Sequence, residues 1–164
     1  MNDVVTEILR RPGCRVIRLQ GGESLTVPNV LFRQAPLYVG MPVDPVVWRG
    51  EVLAQENRFA LETAVRMLES RDRSSLEIFR KLTSQGYSEE AAEEAVAKLT
   101  SAGYLDDMRF ARDCIARIGR KYGAIRIRQE MGRKGIPREM IDGILLEQDG
   151  DDMLDTAVEL AKNA

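Results

Sequence analysis

Residues 74–107 read SSLEIFRKLTSQGYSEEAAEEAVAKLTSAGYLDD, and this stretch decides the fold class. Ser74 and Ser88 each precede a run of apolar residues at helical spacing, as residues that begin a helix do. Each run stops at a glycine, Gly86 or Gly103, and glycine enters the left-handed conformation that ends many helices at little cost. The stretch therefore predicts two consecutive helices, each closed by a glycine turn.

A further helix precedes this pair, and the pattern of three recurs about fifty residues later. The apolar stripe of the first helix consists of Leu61, Ala64, Val65 and Leu68, and its counterparts are Ala111, Cys114, Ile115 and Ile118. Gly135 repeats the position of Gly86, and Pro137 stands at a helix start, where proline is tolerated. Residues 154–160 echo residues 61–67, so a third copy begins near the end of the sequence.

The first fifty residues differ in character from the repeats. They hold five of the six prolines, and residues 4–9, 14–19 and 24–27 are strand-like runs, with a Gly21-Gly22 turn before the last. We therefore expect a mainly α fold of tandem three-helix repeats in an elongated array, preceded by a small β-containing N-terminal module. The expected boundaries are 1–50 for the module, 51–104 and 105–150 for two repeats, and 151–164 for the first helix of an incomplete third repeat.

Composition excludes several classes of function. The 164 residues carry a formal net charge of -2 and no histidine, which removes His-dependent nucleophilic and zinc chemistry. Cys14 and Cys114 are far apart and predict free thiols rather than a disulfide or a metal site. The pairs Asp106-Asp107 and Asp151-Asp152, with Asp149, stand before apolar stripes and are interpreted as helix caps. No segment has the pattern of a signal peptide or a membrane span, so we expect a cytoplasmic protein that is not an enzyme and needs no cofactor or metal.

Two joined motifs resemble a known family. Gly103–Ala111, GYLDDMRFA, connects the two repeats, and residues 122–137 read YGAIRIRQEMGRKGIP. Together with the glycine-tyrosine pair at 86–87, these segments resemble the RecX family, over roughly residues 58–148. The resemblance implies a regulator, usually an inhibitor, that binds the RecA–DNA filament and restrains its ATPase, strand-exchange and co-protease activities. Since the family pattern has three repeats, it also implies that this chain is C-terminally truncated in the third.

The second repeat carries a concentration of basic residues, which we name the basic band. Within residues 109–134, Asp113 and Glu130 are the only acidic residues. The band consists of Arg109, Arg112, Arg117, Arg120, Lys121, Arg126, Arg128, Arg133 and Lys134. Arginine forks bind carboxylates and phosphates alike, so we expect the band to contact RecA or the DNA of its filament, although a solvated helical face is the alternative. Arg71 and Arg73 are weaker candidates for the same role.

Three other functions compete with this hypothesis. A helix-turn-helix DNA reader is disfavoured because the corresponding helix of the first repeat carries Glu89, Glu90, Glu93 and Glu94, which repel phosphates. Non-specific binding of single- or double-stranded DNA through the basic band stays open, as does a helical-repeat scaffold for another partner. We expect a monomer.

Overall fold

The structure is a computed structural model that describes residues 1–163, without the side chains of residues 151–153, 155 and 156. The strands are β1 (Asp3–Arg11), β2 (Cys14–Leu19), β3 (Ser24–Pro28) and β4 (Pro42–Val43). The helices are α1 (Asn29–Phe32), α2 (Pro45–Leu53), α3 (Glu56–Ser70), α4 (Ser75–Ser84), α5 (Glu89–Ser101), α6 (Asp107–Ile118), α7 (Ala124–Arg133) and α8 (Arg138–Lys162). The expected fold class is confirmed: three-helix repeats follow a small antiparallel sheet.

The N-terminal sheet has the strand order β3-β2-β1-β4, with antiparallel pairing throughout. The predicted turn at Gly21-Gly22 joins β2 to β3, where Ile17 pairs with Leu25. Alternating side chains of a strand point to opposite faces, so Val5, Ile17 and Leu25 are buried on one face. Helix α2 begins after Asp44, whose carboxylate accepts hydrogen bonds from the Val46 and Val47 N–H groups.

The chain divides into two compact units, and the first contains both the sheet and most of the first repeat. It comprises Met1–Arg73 and Glu77–Leu105. Its single hydrophobic core runs from Val5 and Trp48 in the N-terminal region to Ile78 and Leu99 in the helices. The change of sequence character near residue 50 therefore does not coincide with a division between compact units.

Two expectations about side chains in this unit are wrong. Val65 is 37% exposed because the buried stripe of α3 is centred on Ala60, Ala64 and Met67, which rotates the inward face away from Val65. Tyr104, whose spacing is that of a core or helix-ending residue, is instead 68% exposed, because the next residue, Leu105, takes the buried position at 3%. In both cases the repeated pattern gives the spacing of the side chains but not which neighbouring element covers them.

The second compact unit comprises Ser74–Leu76 and Asp106–Ala164. Helices α6, α7 and α8 enclose a separate core in which Ile115, Ile127, Met131 and Ile141 are almost fully buried. The stripes predicted for the second repeat are confirmed, since Ala111 and its neighbours one turn away are inside. This core positions the basic band on the outer surfaces of α6 and α7.

Helix α8 is longer than the sequence predicts. It continues without interruption from Arg138 to Lys162, through the position near 150 at which a new repeat was expected to begin. The segment contains two glycines, Gly143 and Gly150, and no proline; a glycine inside a helix costs about 1 kcal/mol, less than the roughly 3 kcal/mol of a proline. Asp149 lies inside this helix instead of capping one. The side chains of Asp151 and Asp152, also predicted as caps, lie outside the described residues.

The helix ends predicted at Gly86, Gly103 and Gly135 and the start predicted at Ser88 are confirmed. Ser88 accepts a hydrogen bond from the Ala91 N–H, and Gly86, Gly103 and Gly135 have φ between 80° and 88°. The N–H of Ile136 donates to the carbonyl of Met131, the 6→1 bond of a Schellman motif. Along residues 1–163, no helix is both long and apolar enough to cross a bilayer.

Candidate partner-binding surface

The basic band lies on helices α6 and α7 and on the loop that joins them. Helix α6 begins at a predicted cap, since a carboxylate oxygen of Asp106 accepts the Arg109 N–H at 3.0 Å. Phe110, Ala111, Cys114 and Ile115 turn inward, which leaves the arginines of the helix on the solvent side. All nine basic side chains are exposed or half-buried, so their predicted position outside the core is confirmed.

Three arginines of the band are paired with carboxylates. A guanidinium nitrogen of Arg112 lies 3.2 Å from both carboxylate oxygens of Glu147, and Nε of Arg128 lies 2.7 Å from Oδ1 of Asp142. The Arg133 guanidinium lies 3.4 Å from Glu130, one helical turn earlier. These pairs lower the net positive charge of the band, and two of the three acids come from α8.

Four basic residues of the band cluster at the end of α6, in the following loop and at the start of α7. We name Arg117, Arg120, Lys121 and Arg126 the basic corner. Among the described residues, none of the four forms an ion pair. The corner is therefore the densest group of cations in the band without an ion pair to a described residue, and Arg109 at the start of α6 likewise pairs with no described carboxylate.

Two contacts hold side chains of the corner in place. The guanidinium carbon of Arg126 lies 4.1 Å from the ring centroid of Tyr122, within the range of a cation–π interaction. A guanidinium nitrogen of Arg117 lies 3.3 Å from Sγ of the buried Cys114. Neither contact neutralises the guanidinium charge, so both side chains remain able to bind an anion.

Lys134 lies at the far end of α7. Its ammonium nitrogen is 5.8 Å from the ring centroid of Phe110, and its backbone carbonyl accepts a hydrogen bond from the Ser74 hydroxyl. The aliphatic stem of Lys134 is half-buried, so this residue contributes to packing as well as to surface charge.

The weaker candidates, Arg71 and Arg73, lie in the first compact unit. Arg71 is 3.1 Å from a carboxylate oxygen of Glu77, and Nε of Arg73 donates to the carbonyl of Met67 at 3.4 Å. The Arg73 bond satisfies a carbonyl near the C-terminal end of α3, where positive charge stabilises the helix dipole, and the Arg71 pair joins the residue after α3 to α4. Local structural roles therefore account for both residues.

The described residues contain no candidate metal site, and both cysteines are buried. No group of three or more Cys, Asp or Glu side chains in that part of the chain could hold a metal ion. Asp106 caps α6, whereas Asp107 accepts the N–H of Ser75 at 2.8 Å, a contact that the sequence did not predict. Cys14 and Cys114 are both free and buried, as predicted.

An apolar groove beside the band was not predicted from the sequence. It lies between α7 and α8, and Ile125, 73% exposed, forms one wall. The sequence does contain an indication of the groove, because Ile125 falls outside the Ile127 and Met131 stripe and is an aliphatic residue on a polar face.

Comparison with family models places both repeats in one family. The model described as "RecX, first three-helix domain" matches residues 60–99, and "RecX, second three-helix domain" matches residues 106–145. Both matches lie within the two segments expected to be complete repeats, and the basic corner falls inside the second.

Curated relatives that are similar to the chain carry the same family name. A "Regulatory protein RecX" of Stenotrophomonas maltophilia (strain R551-3) is 41% identical over 92 residues, which are 56% of each chain. One from Trichlorobacter lovleyi is 36% identical over 94 residues, or 55% of this chain and 61% of the relative. One from Xanthomonas axonopodis pv. citri (strain 306) is 35% identical over 109 residues, 66% of each. The chain thus covers 56% to 61% of the length of the first two.

A solved structure has the same fold. The "Crystal structure of regulatory protein RecX" aligns with a TM-score of 0.55 and 24% identity, covering 88% of this chain and 73% of the other.

Proposed function

The chain belongs to the RecX family, and on that premise we propose that it regulates the RecA recombinase by binding the RecA–DNA filament. The proposed action is inhibitory: bound chain restrains the ATPase, strand-exchange and co-protease activities of RecA. Two consecutive family domains, residues 60–99 and 106–145, are the observation that carries the proposal.

We place the contact with the filament on the basic band, with the basic corner as its centre. A RecA–DNA filament presents DNA phosphates together with protein carboxylates, and arginine binds both through paired N–H groups. The corner has no ion pair with a described residue that must break before it binds, whereas Arg112, Arg128 and Arg133 are engaged with carboxylates. The corner therefore contributes more to affinity than the paired arginines do.

The test is the rate of ATP hydrolysis by RecA on single-stranded DNA, with the chain titrated in at fixed salt. We expect the wild-type chain to inhibit below one chain per RecA protomer. The triple variant Arg120→Glu, Lys121→Glu, Arg126→Glu should need about tenfold more chain for the same inhibition, since it removes three contacts and introduces repulsion.

The matched control reverses three exposed arginines of the first unit, through Arg11→Glu, Arg33→Glu and Arg49→Glu. These residues are exposed and form no ion pair within the described part of the chain, and the change of net charge is the same. Equal loss of inhibition in both triple variants would place the effect in net charge and remove the corner from the interface. Failure of the wild-type chain to inhibit would overturn the proposed function.

A parallel titration of the chain into free single-stranded DNA distinguishes binding of the filament from non-specific binding of DNA. If the chain acts as a non-specific DNA binder, loss of inhibition should follow loss of affinity for free DNA, and both should weaken steeply as salt is raised. If it binds the filament, inhibition should persist at DNA concentrations that saturate RecA.

A further inference from the structure

The groove between α7 and α8 combines an apolar floor with a charged edge. Its volume is about 360 Å³, within the range of roughly 300–1,000 Å³ that ligand pockets occupy. Ile136 and Ile141 form the floor at 3% and 1% exposure, and Ile125 stands 73% exposed on one wall. Ile125 therefore supplies most of the aliphatic surface that contacts water here, and the two buried isoleucines close the groove beneath it.

Gly132 provides the open space in the groove. It lies within helix α7 and has no positive φ, so the backbone does not require glycine there. A Cβ built on Gly132 meets nothing within 4 Å. The missing side chain therefore leaves room above the helix for an apolar group from another molecule.

Two arginines share one carboxylate at the edge of the groove. Asp142 lies 2.7 Å from Nε of Arg128 through one oxygen and 3.8 Å from Nε of Arg138 through the other. Two cations and one anion leave a net charge of +1 at this edge. Arg138 is 79% exposed, so its guanidinium is free to turn toward a second carboxylate.

We propose that this groove binds a short amphipathic helix of a partner protein, in which aliphatic anchors are flanked by aspartate or glutamate. The aliphatic anchors would lie over Gly132, between Ile125 and Ile141, and an acidic side chain would pair with Arg138. This is the helix-in-groove mode, in which apolar residues at helical spacing enter a groove between elements of the host. A nucleic acid fits less well, because the floor is aliphatic and Ile125 gives no aromatic surface on which bases stack.

The experiment measures fluorescence anisotropy with a labelled peptide of about fourteen residues, four helical turns. Its leucines stand at i, i+3, i+4 and i+7, and glutamate and aspartate fill most other positions. Gly132→Leu fills the open space and should weaken binding about tenfold or more. Gly143→Leu is the matched control, since Gly143 is also an exposed helical glycine with nothing within 4 Å and does not line the groove. Arg138→Glu should weaken binding by a similar factor to Gly132→Leu.

Three results would overturn the inference. The first is no saturable binding by the wild-type chain. The second is equal binding by wild type and Gly132→Leu while circular dichroism shows both folded. The third is that a peptide with lysine in place of every acid, or an oligothymidine, binds as well as the acidic peptide and is lost in Gly132→Leu. The assay contains no RecA, so its failure and failure of the proposed function are distinguishable.

Discussion

The hydroxyl of Ser74 donates a hydrogen bond of 2.5 Å to the backbone carbonyl of Lys134, sixty residues further along the chain. Ser74 is fully buried, and with Ser75 and Leu76 it belongs to the second compact unit. In the same short segment the N–H of Ser75 donates to Asp107, so two hydrogen bonds fix its position beside α6 and α7.

Ser74→Ala should lower the free energy of unfolding by about 0.5–1.5 kcal/mol, because it removes a hydrogen bond made by a fully buried hydroxyl. Urea denaturation followed by circular dichroism measures the change. Ser84→Ala is the control: Ser84 is exposed and its hydroxyl donates only to Lys81 in the preceding turn, so that change should fall within about 0.5 kcal/mol of wild type. Equal effects of the two substitutions would remove any special role of the Ser74 bond.

Gly135 and Gly103 provide a second, paired test. Both have φ near 80°, so alanine at either position is strained by about 1–2 kcal/mol. A Cβ on Gly135 would lie 2.4 Å from Cβ of Leu76, whereas a Cβ on Gly103 meets nothing within 4 Å. Gly135→Ala should therefore cost about 1–3 kcal/mol more than Gly103→Ala, the extra being the overpacking energy. Thermal unfolding of the two variants measures the difference, and equal melting temperatures would contradict the close contact.

A buried carboxylate in the first unit supports the third prediction. Glu56 is 7% exposed, and its Oε1 accepts the N–H of Ser88 at 2.6 Å, the residue that caps α5. Glu56→Ala should cost about 1.5–3 kcal/mol, the range for hydrogen bonds to charged groups. Glu56→Gln keeps an acceptor oxygen and should recover part of the loss in the same urea titration.

The control for Glu56 is Glu62→Ala, on the same helix. Glu62 is 48% exposed and pairs with Arg58 on the surface, so its loss should cost less than about 1 kcal/mol. A Glu56→Ala variant as stable as Glu62→Ala would show that the buried hydrogen bond contributes nothing.

The features that the sequence predicts well are those with local causes. Helix ends at Gly86, Gly103 and Gly135 follow from the conformational freedom of glycine, and the start at Ser88 follows from its side-chain hydrogen bond. Strands β1, β2 and β3 of the N-terminal module are also predicted, because alternation and a glycine turn are short-range signals, whereas the two-residue strand β4 is not. The recurrence of the helix pattern predicts the two repeats that the family models match, whereas the echo of residues 61–67 at residues 154–160 does not begin a separate helix, because α8 continues through it.

The features that the sequence does not predict depend on contacts between distant elements. Glu147 and Asp142 neutralise two arginines of the basic band, Arg112 and Arg128. Both acids lie close to the band only because α8 packs against α6 and α7. The hydrogen bond of Glu56 likewise requires Ser88, thirty-two residues away. Tyr104 and Val65 show the same limit for apolar side chains, since a repeated stripe fixes the spacing of inward residues but not which neighbour covers them.

The last prediction concerns the pH dependence of stability. Burial raises the pKa of the Tyr87 phenol above its ordinary value of 10.0, although the hydrogen bond to Thr63, 3.0 Å between oxygens, opposes the rise. Below pH 10.0 the phenol is neutral in both the folded and the unfolded chain, so its contribution to stability is fully present. As the pH rises further, the unfolded chain loses its proton first, and stability falls until the folded pKa is passed.

Tyr87→Phe removes this titration together with the Thr63 hydrogen bond. At neutral pH the variant should be less stable than wild type by about 1 kcal/mol, the net value of a neutral hydrogen bond. As the pH rises past about 10.0, the wild type should lose stability faster than the variant, so the gap between their unfolding midpoints in urea should narrow. Tyr38→Phe changes a phenol that is 65% exposed and should leave the alkaline slope as in wild type. Parallel slopes for wild type and Tyr87→Phe would show that ionisation of Tyr87 is not what destabilises the protein at high pH.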